Sequence, residues 1–491
     1  MLPMIVPVGS LLLGVSLLLF GNGLLNTLLA LRGGMEGYSD SLIGYIMSGY
    51  FVGFFVGFYA GIPMLRRIGH IRAFALCAAI SAAVVLTHVL LVNPYSWMLL
   101  RVVTGAVLVI LYTIIESWLN DVTPAEKRGQ VFAVYMAVNL GSLALTQQLL
   151  QLDSPMNFTL FALAAMLVCI SLVPITWTRL AQPSVAEVKR FSLRKLLKIA
   201  PIAVAGGVLS GLAMGAFWGL MPVYGQRIGL ESGQVATLMS ASIVGGALFQ
   251  YPLGRYSDKH DRRWVLGITA AVGFGIALVS WMLPTPYWLV LLSMALWGGA
   301  AFAIYPVSVA HLVDHIDHRD ILPAGSALLL LHGMGAAVGP ALAGTLMEWT
   351  SATTLLLYFA LAHGLIALYV GFKLTRPAAI AEPEPESTSH FVPMVRTTPA
   401  VLEMIPEEDT EMTNEPETDS GSSGSAANPN TSGSAEHSNT SGSSEHRAAN
   451  DDSHKADIDS QSLSNSENNS GKVNKRSENT QHEEHLPPLG F

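Results

Sequence analysis

Along the first three quarters of the chain, apolar residues do not alternate with polar ones but run on unbroken. A helix needs about 20 consecutive, mostly apolar residues to cross about 30 Å of hydrocarbon. Runs of that kind lie near residues 5–31, 41–64, 73–93, 96–119, 129–151, 157–178, 200–224, 234–253, 264–283, 287–312, 323–347 and 352–374. Each predicts an α-helix, because backbone groups in lipid must find partners within their own segment. Gly33-Gly34 reads as the break after the first run, and Asn93-Pro94 and Pro284-Thr285-Pro286 as very short connections. The longest internal polar stretch, about 179–198, divides the spans six and six. Its apolar positions Val185, Val188, Phe191, Leu193, Leu196 and Leu197 fit a helix lying on the membrane surface or a plain linker.

Charge gives the spans a direction. Residues 1–376 carry a net +7 and residues 377–491 a net −15. With the N-terminus taken as cytoplasmic, one set of loops holds 18 basic residues, from Arg66, Arg67 and Arg72 through Lys127 and Arg128 to Arg319, Lys373 and Arg376; the opposite set holds Arg32 and Arg227 only. Lys and Arg are retained on the cytoplasmic side, so both termini are expected there. The N-terminus lacks a basic region and a small-residue cleavage site, so the first run reads as a retained helix. Overall, 51% of residues are hydrophobic and 13% charged, against about 25% charged in a soluble protein. The two cysteines, Cys77 and Cys169, both lie in apolar runs and read as buried free thiols, with no disulfide framework or metal motif.

The halves resemble each other at an offset of 193 residues. Gly53 meets Gly246, Gly61 meets Gly254, Gly105 meets Gly298, Tyr112 meets Tyr305 and Asp121 meets Asp314, at matching helix ends and loops. Gly254-Arg-Tyr-Ser-Asp258-Lys259-His-Asp-Arg262-Arg263 resembles the loop motif G-x-x-x-D-R/K-x-G-R-R/K of the major facilitator superfamily, with Asp261 replacing its second glycine. The matching first-half loop, Gly61 to Arg72, keeps basic residues but no acid and is one residue longer. Arg101-Val-Val-Thr-Gly105 is similar to the fourth-helix motif R-x-x-Q-G, with Thr104 for Gln. Tyr112 through Asn120, Pro124 to Gly129, Tyr305-Pro306 and Gly335 to Gly344 resemble the YcaD-like bacterial branch of that superfamily. The resemblance covers residues 1–376. It implies an all-α membrane protein of about 12 transmembrane helices in two pseudo-symmetric six-helix halves, 1–180 and 199–376, joined by a cytoplasmic linker, 181–198. It implies the first, fourth, seventh and tenth helices around a central cavity, and it names no cargo.

Ionisable groups at span depth cost about 2.5–3.5 kcal/mol on insertion scales, so each is a candidate for function. Arg101 and Glu116 both lie on the fourth run. With Gly105, Leu108 and Tyr112 they form a stripe near one helix face, the two charges about 22 Å apart along the axis. Arg101 is a candidate for an anionic substrate group or for proton coupling, or an anchor to neighbours such as Asn22. Glu116 is a candidate proton acceptor, or a structural partner of Arg128 or Arg190. Asn22 and Asn26 share a face of the first run and either read substrate or bond to a neighbouring helix. Tyr112 and Tyr305 suit a cavity wall; Trp218 and Trp297 are weaker candidates. Of Gln147 and Gln148, one is expected to face a neighbour and the other the headgroups. Gly254, Asp258, Lys259, Arg262 and Arg263 form the gating-loop motif.

Residues 377–491 are rich in Ser, Asn, Gly, Glu and Pro and contain a nine-residue tandem repeat starting at Asn430 and Asn439. This composition predicts a disordered, acidic cytoplasmic tail. No phosphate-cradling loop, metal spacing or nucleophile–base pair appears, so no enzyme, cofactor, metal or nucleic-acid partner is expected. The reading is a monomeric, proton-coupled or facilitative carrier of a small solute in a bacterial inner membrane. The alternatives are a multidrug/proton antiporter and a receptor or scaffold working through its tail. Drug/proton antiporters carry G-x-x-x-G-P on the fifth helix, whereas here the comparable element is on the eleventh run.

Overall fold

A computed structural model describes residues 2–124, 127–178, 183, 191–283 and 286–375. The expected tail, its repeat, Arg179, Lys189, Arg190 and the Pro284-Thr285 connection lie outside the described residues. Twelve segments among the described residues are long and apolar enough to cross a membrane. They are built from α1 (Leu2–Met35), α2 (Asp40–Ile68), α3 (His70–Leu90), α4 (Pro94–Val122), α5 (Arg128–Thr146) with a 3-10 extension over Gln147–Leu152, α6 (Thr159–Ile170) with α7 (Leu172–Trp177), α9 (Pro201–Arg227), α10 (Ser232–Ser257), α11 (Arg262–Met282), α12 (Tyr287–Val313), α13 (Ile321–Trp349) and α14 (Thr354–Thr375). The short α8 (Leu193–Ile199) precedes α9 and buries Leu196, while Lys195 on it reaches Asp320 at 2.8 Å.

The packing is duplicated. In the first set α1 packs on α5 and α6, α4 on α2 and α3, and α3 on α6; in the second α9 packs on α13 and α14, α12 on α10 and α11, and α11 on α14. The glycine pairs seen in the sequence explain two of these crossings. A Cβ on Gly105 of α4 would collide with the Tyr50 carbonyl of α2, and one on Gly298 of α12 with the Ser242 carbonyl of α10. Glycine lets the backbones approach closely enough for van der Waals packing, which replaces the hydrophobic drive that lipid removes. Gly37 (φ 79°) and Gly229 (φ 87°) stand two residues beyond the ends of α1 and α9, where left-handed backbone stops each helix.

Three expectations are corrected. Gly33-Gly34 does not break α1, which continues to Met35. A helix tolerates glycine, and Gly34 is small because the Gln226 amide of α9 presses on it. The fifth span is not one α-helix, since its last turns tighten to 3-10 from Gln147. Cys77 is buried, but Cys169 is exposed, on the outer side of α6.

Several polar links between the two sets lie near the ends that carry the connections 36–39 and 228–231. Arg227 Nε donates to Asp40 Oδ1 at 2.9 Å and its Nη2 to the Tyr38 carbonyl at 3.1 Å. Ser41 N–H donates to Glu348 at 3.1 Å, and Gln226 Nε2 to the Leu31 carbonyl at 3.3 Å. Gln148 Nε2 donates to Ser240 Oγ at 2.6 Å, and that hydroxyl donates to the Ala144 carbonyl at 2.7 Å. Both glutamines thus face protein, for Gln147 accepts from Thr27 at 2.7 Å. Of the two basic residues at the helix ends leading into these connections, Arg227 spans the two sets, and Arg32 holds Glu36 at 3.1 Å and the Met156 carbonyl at 3.0 Å.

Candidate functional site

Where α1, α2, α4 and α5 converge, a chamber opens whose far wall is Trp218 of α9. Its polar lining comes from Asn22 and Asn26 on α1, Arg101, Thr104 and Tyr112 on α4, and Tyr135 and Asn139 on α5. A second chamber lies among α9, α12 and α13, with Phe51 and Phe54 of α2 closing it. Phe51 and Trp218 belong to both linings, so the chambers adjoin across one residue from each helix set.

Arg101 is only 2% exposed. Its Nη2 donates to Asn26 Oδ1 at 2.7 Å, and its guanidinium lies 4.8 Å from the centre of the Tyr50 ring. Asn26 in turn donates from Nδ2 to the Trp218 carbonyl at 2.8 Å. The amide is therefore fixed in orientation: oxygen toward the cation, nitrogen toward a carbonyl that only accepts. This line of three residues joins α4 through α1 to α9, one set to the other. Asn22 is not the Arg101 anchor. It donates to the Leu18 carbonyl at 3.1 Å and accepts from Ser81 at 3.4 Å, its side chain still part of the chamber wall.

The α4 stripe splits at its two ends. Arg101, Leu108 and Tyr112 line the chamber, Gly105 turns to α2, and Glu116 lies outside the lining. Glu116 is 3% exposed and accepts from Tyr135 Oη at 3.1 Å. The carboxylate thus touches the chamber through one phenol, and its partner is a hydroxyl on α5.

Tyr305 lines the second chamber with Trp218, its ring 4.4 Å from that of His332. Trp297 joins neither lining. It is fully buried, stacked on Phe359 at 4.3 Å with 22° between planes, inside the core of the second set. Among the lining residues not singled out from the sequence are Tyr50, Phe51, Tyr135, Asn139, Phe302 and His332. Asn139 and His332 stand 193 residues apart, the same offset that relates Tyr112 to Tyr305, so the internal duplication carried a signal for both.

The loop motif is built around Arg262, 5% exposed. Its Nη2 meets Asp258 at 3.1 Å, its Nε meets Asp314 at 2.6 Å, and its Nη1 donates to Ser257 Oγ at 3.1 Å. Gly254 is buried, whereas Lys259 is exposed. Asp261, in the position of the motif's glycine, caps α11 by accepting from Arg263 N–H at 2.9 Å and pairs with the Arg263 guanidinium at 3.0 Å. Partial burial would raise the Asp261 carboxyl, but those hydrogen bonds and the Arg263 charge hold it below the usual carboxylate range. In the first set His70 opens α3 at the corresponding corner, within 3.3 Å of Ser117.

A sequence profile of the Major Facilitator Superfamily matches residues 11–231 and 203–405. The chain is 29% identical over 346 residues to the uncharacterized MFS-type transporter YcaD of Escherichia coli K12 / DH10B, covering 70% of this chain and 89% of that one. The fold is similar to the nucleoside transporter NupG, with a TM-score of 0.62 at 17% identity, over 76% of this chain and all of that one. It is also similar to a bacterial homologue of the human lysosomal transporter Spinster in an inward-facing, occupied conformation, with a TM-score of 0.56 at 14% identity, over 75% and 94%. The duplicated six-helix packing, the twelve apolar spans and this match along most of the chain agree: the protein is a member of the Major Facilitator Superfamily, a family of transporters.

Proposed function

We propose that the protein is a secondary carrier that moves a small solute through the paired chambers by rocking one helix set against the other, with both termini cytoplasmic in a bacterial inner membrane and one chain as the working unit. The observation that carries this reading is the line Arg101–Asn26–Trp218, a buried cation wired across the boundary between the sets at the chamber wall. A solute that draws the Arg101 guanidinium off Asn26 Oδ1 releases the amide whose nitrogen holds the Trp218 carbonyl of the other set, which is how binding energy biases a two-state motion. The mid-span position at the repeat interface fits the general plan of such carriers. Glu116, one hydroxyl from the chamber, supports proton coupling over purely facilitative transport. A multidrug exporter is less well served by the first chamber, whose wall carries a guanidinium and three amides.

The test is uptake by the purified full chain in proteoliposomes, screened over a broad solute panel with and without an imposed proton gradient. A solute that enters, and accumulates only with the gradient, is the expected result. If no solute moves while the tail retains a binding partner, the chain is a receptor or scaffold.

A further inference from the structure

The two chambers differ in chemistry, and that difference describes a cargo. In the first chamber the permanent charge is positive and no carboxylate lines the wall. A guanidinium presents planar donors that fit a carboxylate through two parallel hydrogen bonds. Asn22 and Asn139 add amides to the same chamber wall, and Asn26 is locked with its oxygen on the cation, which holds the guanidinium in place.

No charged side chain lines the second chamber. Its walls are flat: Trp218 and Phe302 meet edge to face at 6.0 Å and 71°, and Tyr305 lies against His332. The imidazole tautomer follows from its partners. Nδ1 sits 3.1 Å from the Gly207 carbonyl, which only accepts, so Nδ1 carries a proton. Ser210 Oγ, 3.2 Å from the same nitrogen, supports that arrangement. Such a box takes a planar, uncharged ring through stacking and edge contacts. Phe51 and Trp218, shared by both linings, form an aromatic waist where the ring joins its charged group.

Resting on the carrier reading above, we propose that the solute is an aromatic carboxylate, its anionic group on Arg101 in the first chamber and its ring among Trp218, Phe302, Tyr305 and His332 in the second. Arg101 sets the charge preference, and the second chamber sets the preference for a ring.

The experiment is binding to the full chain in nanodiscs by calorimetry, with benzoate, 4-hydroxybenzoate and indole-3-acetate as probes. Benzylamine and tryptamine serve as ring-bearing cations and acetate as the ringless anion. At least one aromatic acid is expected to bind about tenfold or more tightly than its amine counterpart, because a cation beside Arg101 meets like charge, and than acetate, which lacks the ring. Arg101→Gln removes the preference for acid over amine, Arg101→Lys restores part of it, and Phe302→Ala weakens the aromatic acids while leaving acetate unchanged. The thermal midpoint of each variant in detergent identifies any that has lost its fold. Equal binding of acids and amines overturns the proposal. So does failure of every aromatic acid to bind while the uptake screen finds another solute carried, a result that leaves the carrier reading standing. Absence of any uptake strikes the carrier reading itself.

Discussion

At the scale of single residues, the economy of the structure is visible in Arg101. A charge at span depth costs about 2.5–3.5 kcal/mol on insertion scales, and here it is offset by an amide oxygen and an aromatic face, Asn26 and Tyr50. Replacement by alanine is therefore expected to abolish transport while the chain still inserts and folds, measured as vesicle uptake beside detergent-solubilised yield; full uptake would remove Arg101 from the mechanism. Glu116 calls for a different variant. Glu116→Gln keeps an acceptor for Tyr135 and loses only the titratable oxygen, so solute exchange should persist while gradient-driven accumulation falls to the level of passive equilibration. Unchanged accumulation would make Glu116 a structural partner of Tyr135. Arg101, Asn22, Asn26, Tyr112, Tyr305 and Trp218 could be singled out in the sequence because a polar or amphipathic side chain inside an apolar run stands out. Tyr135, Asn139 and His332 were passed over because a lone tyrosine, asparagine or histidine in a span says nothing of its facing, which only the packing of α5 and α13 fixes. Trp297 misled for the converse reason: an indole is large enough to fill a core, and its place against Phe359 leaves no trace in local sequence.

At the scale of helices, the crossings depend on absent side chains. Gly105→Val places two methyl groups where the Tyr50 carbonyl runs, an overpacking expected to destabilise by about 1–3 kcal/mol. Gly141→Ala meets nothing within 4 Å and is expected to be neutral or mildly stabilising. Thermal unfolding of both variants in detergent checks the contrast, and equal midpoints would contradict the packing described. The twelve spans were readable because lipid makes length and apolarity nearly sufficient conditions for a helix. Their ends were less so. Gly33-Gly34 has the composition of a break, but its meaning lies in Gln226, almost two hundred residues away.

At the scale of the whole molecule, the two sets are pinned near the connections 36–39 and 228–231, and the Arg227–Asp40 pair is the ionic part of that pin. Arg227 is partly exposed, so after solvent screening the pair is worth about 1 kcal/mol or less. That is enough to shift a two-state population severalfold. Asp40→Asn is accordingly expected to lengthen the distance distribution between spin labels at the exposed Met35 and Ser351, whereas an unchanged distribution would mean the pair does not bias the motion. The duplication is legible in the sequence through landmarks such as Gly105 and Gly298, because those glycines sit where the matched helix crossings leave no room for a side chain.

The most direct test of the central claim, that the paired chambers open alternately to the two sides of the membrane, is side-specific labelling. In a Cys169→Ser background, with Cys77 buried, Leu108→Cys places a single reactive thiol in the first chamber. A membrane-impermeant maleimide applied to sealed right-side-out and inside-out vesicles should label it from both sides, and an aromatic carboxylate that binds should slow both reactions. Labelling from one side only, whatever solute is added, would contradict alternating access through these chambers.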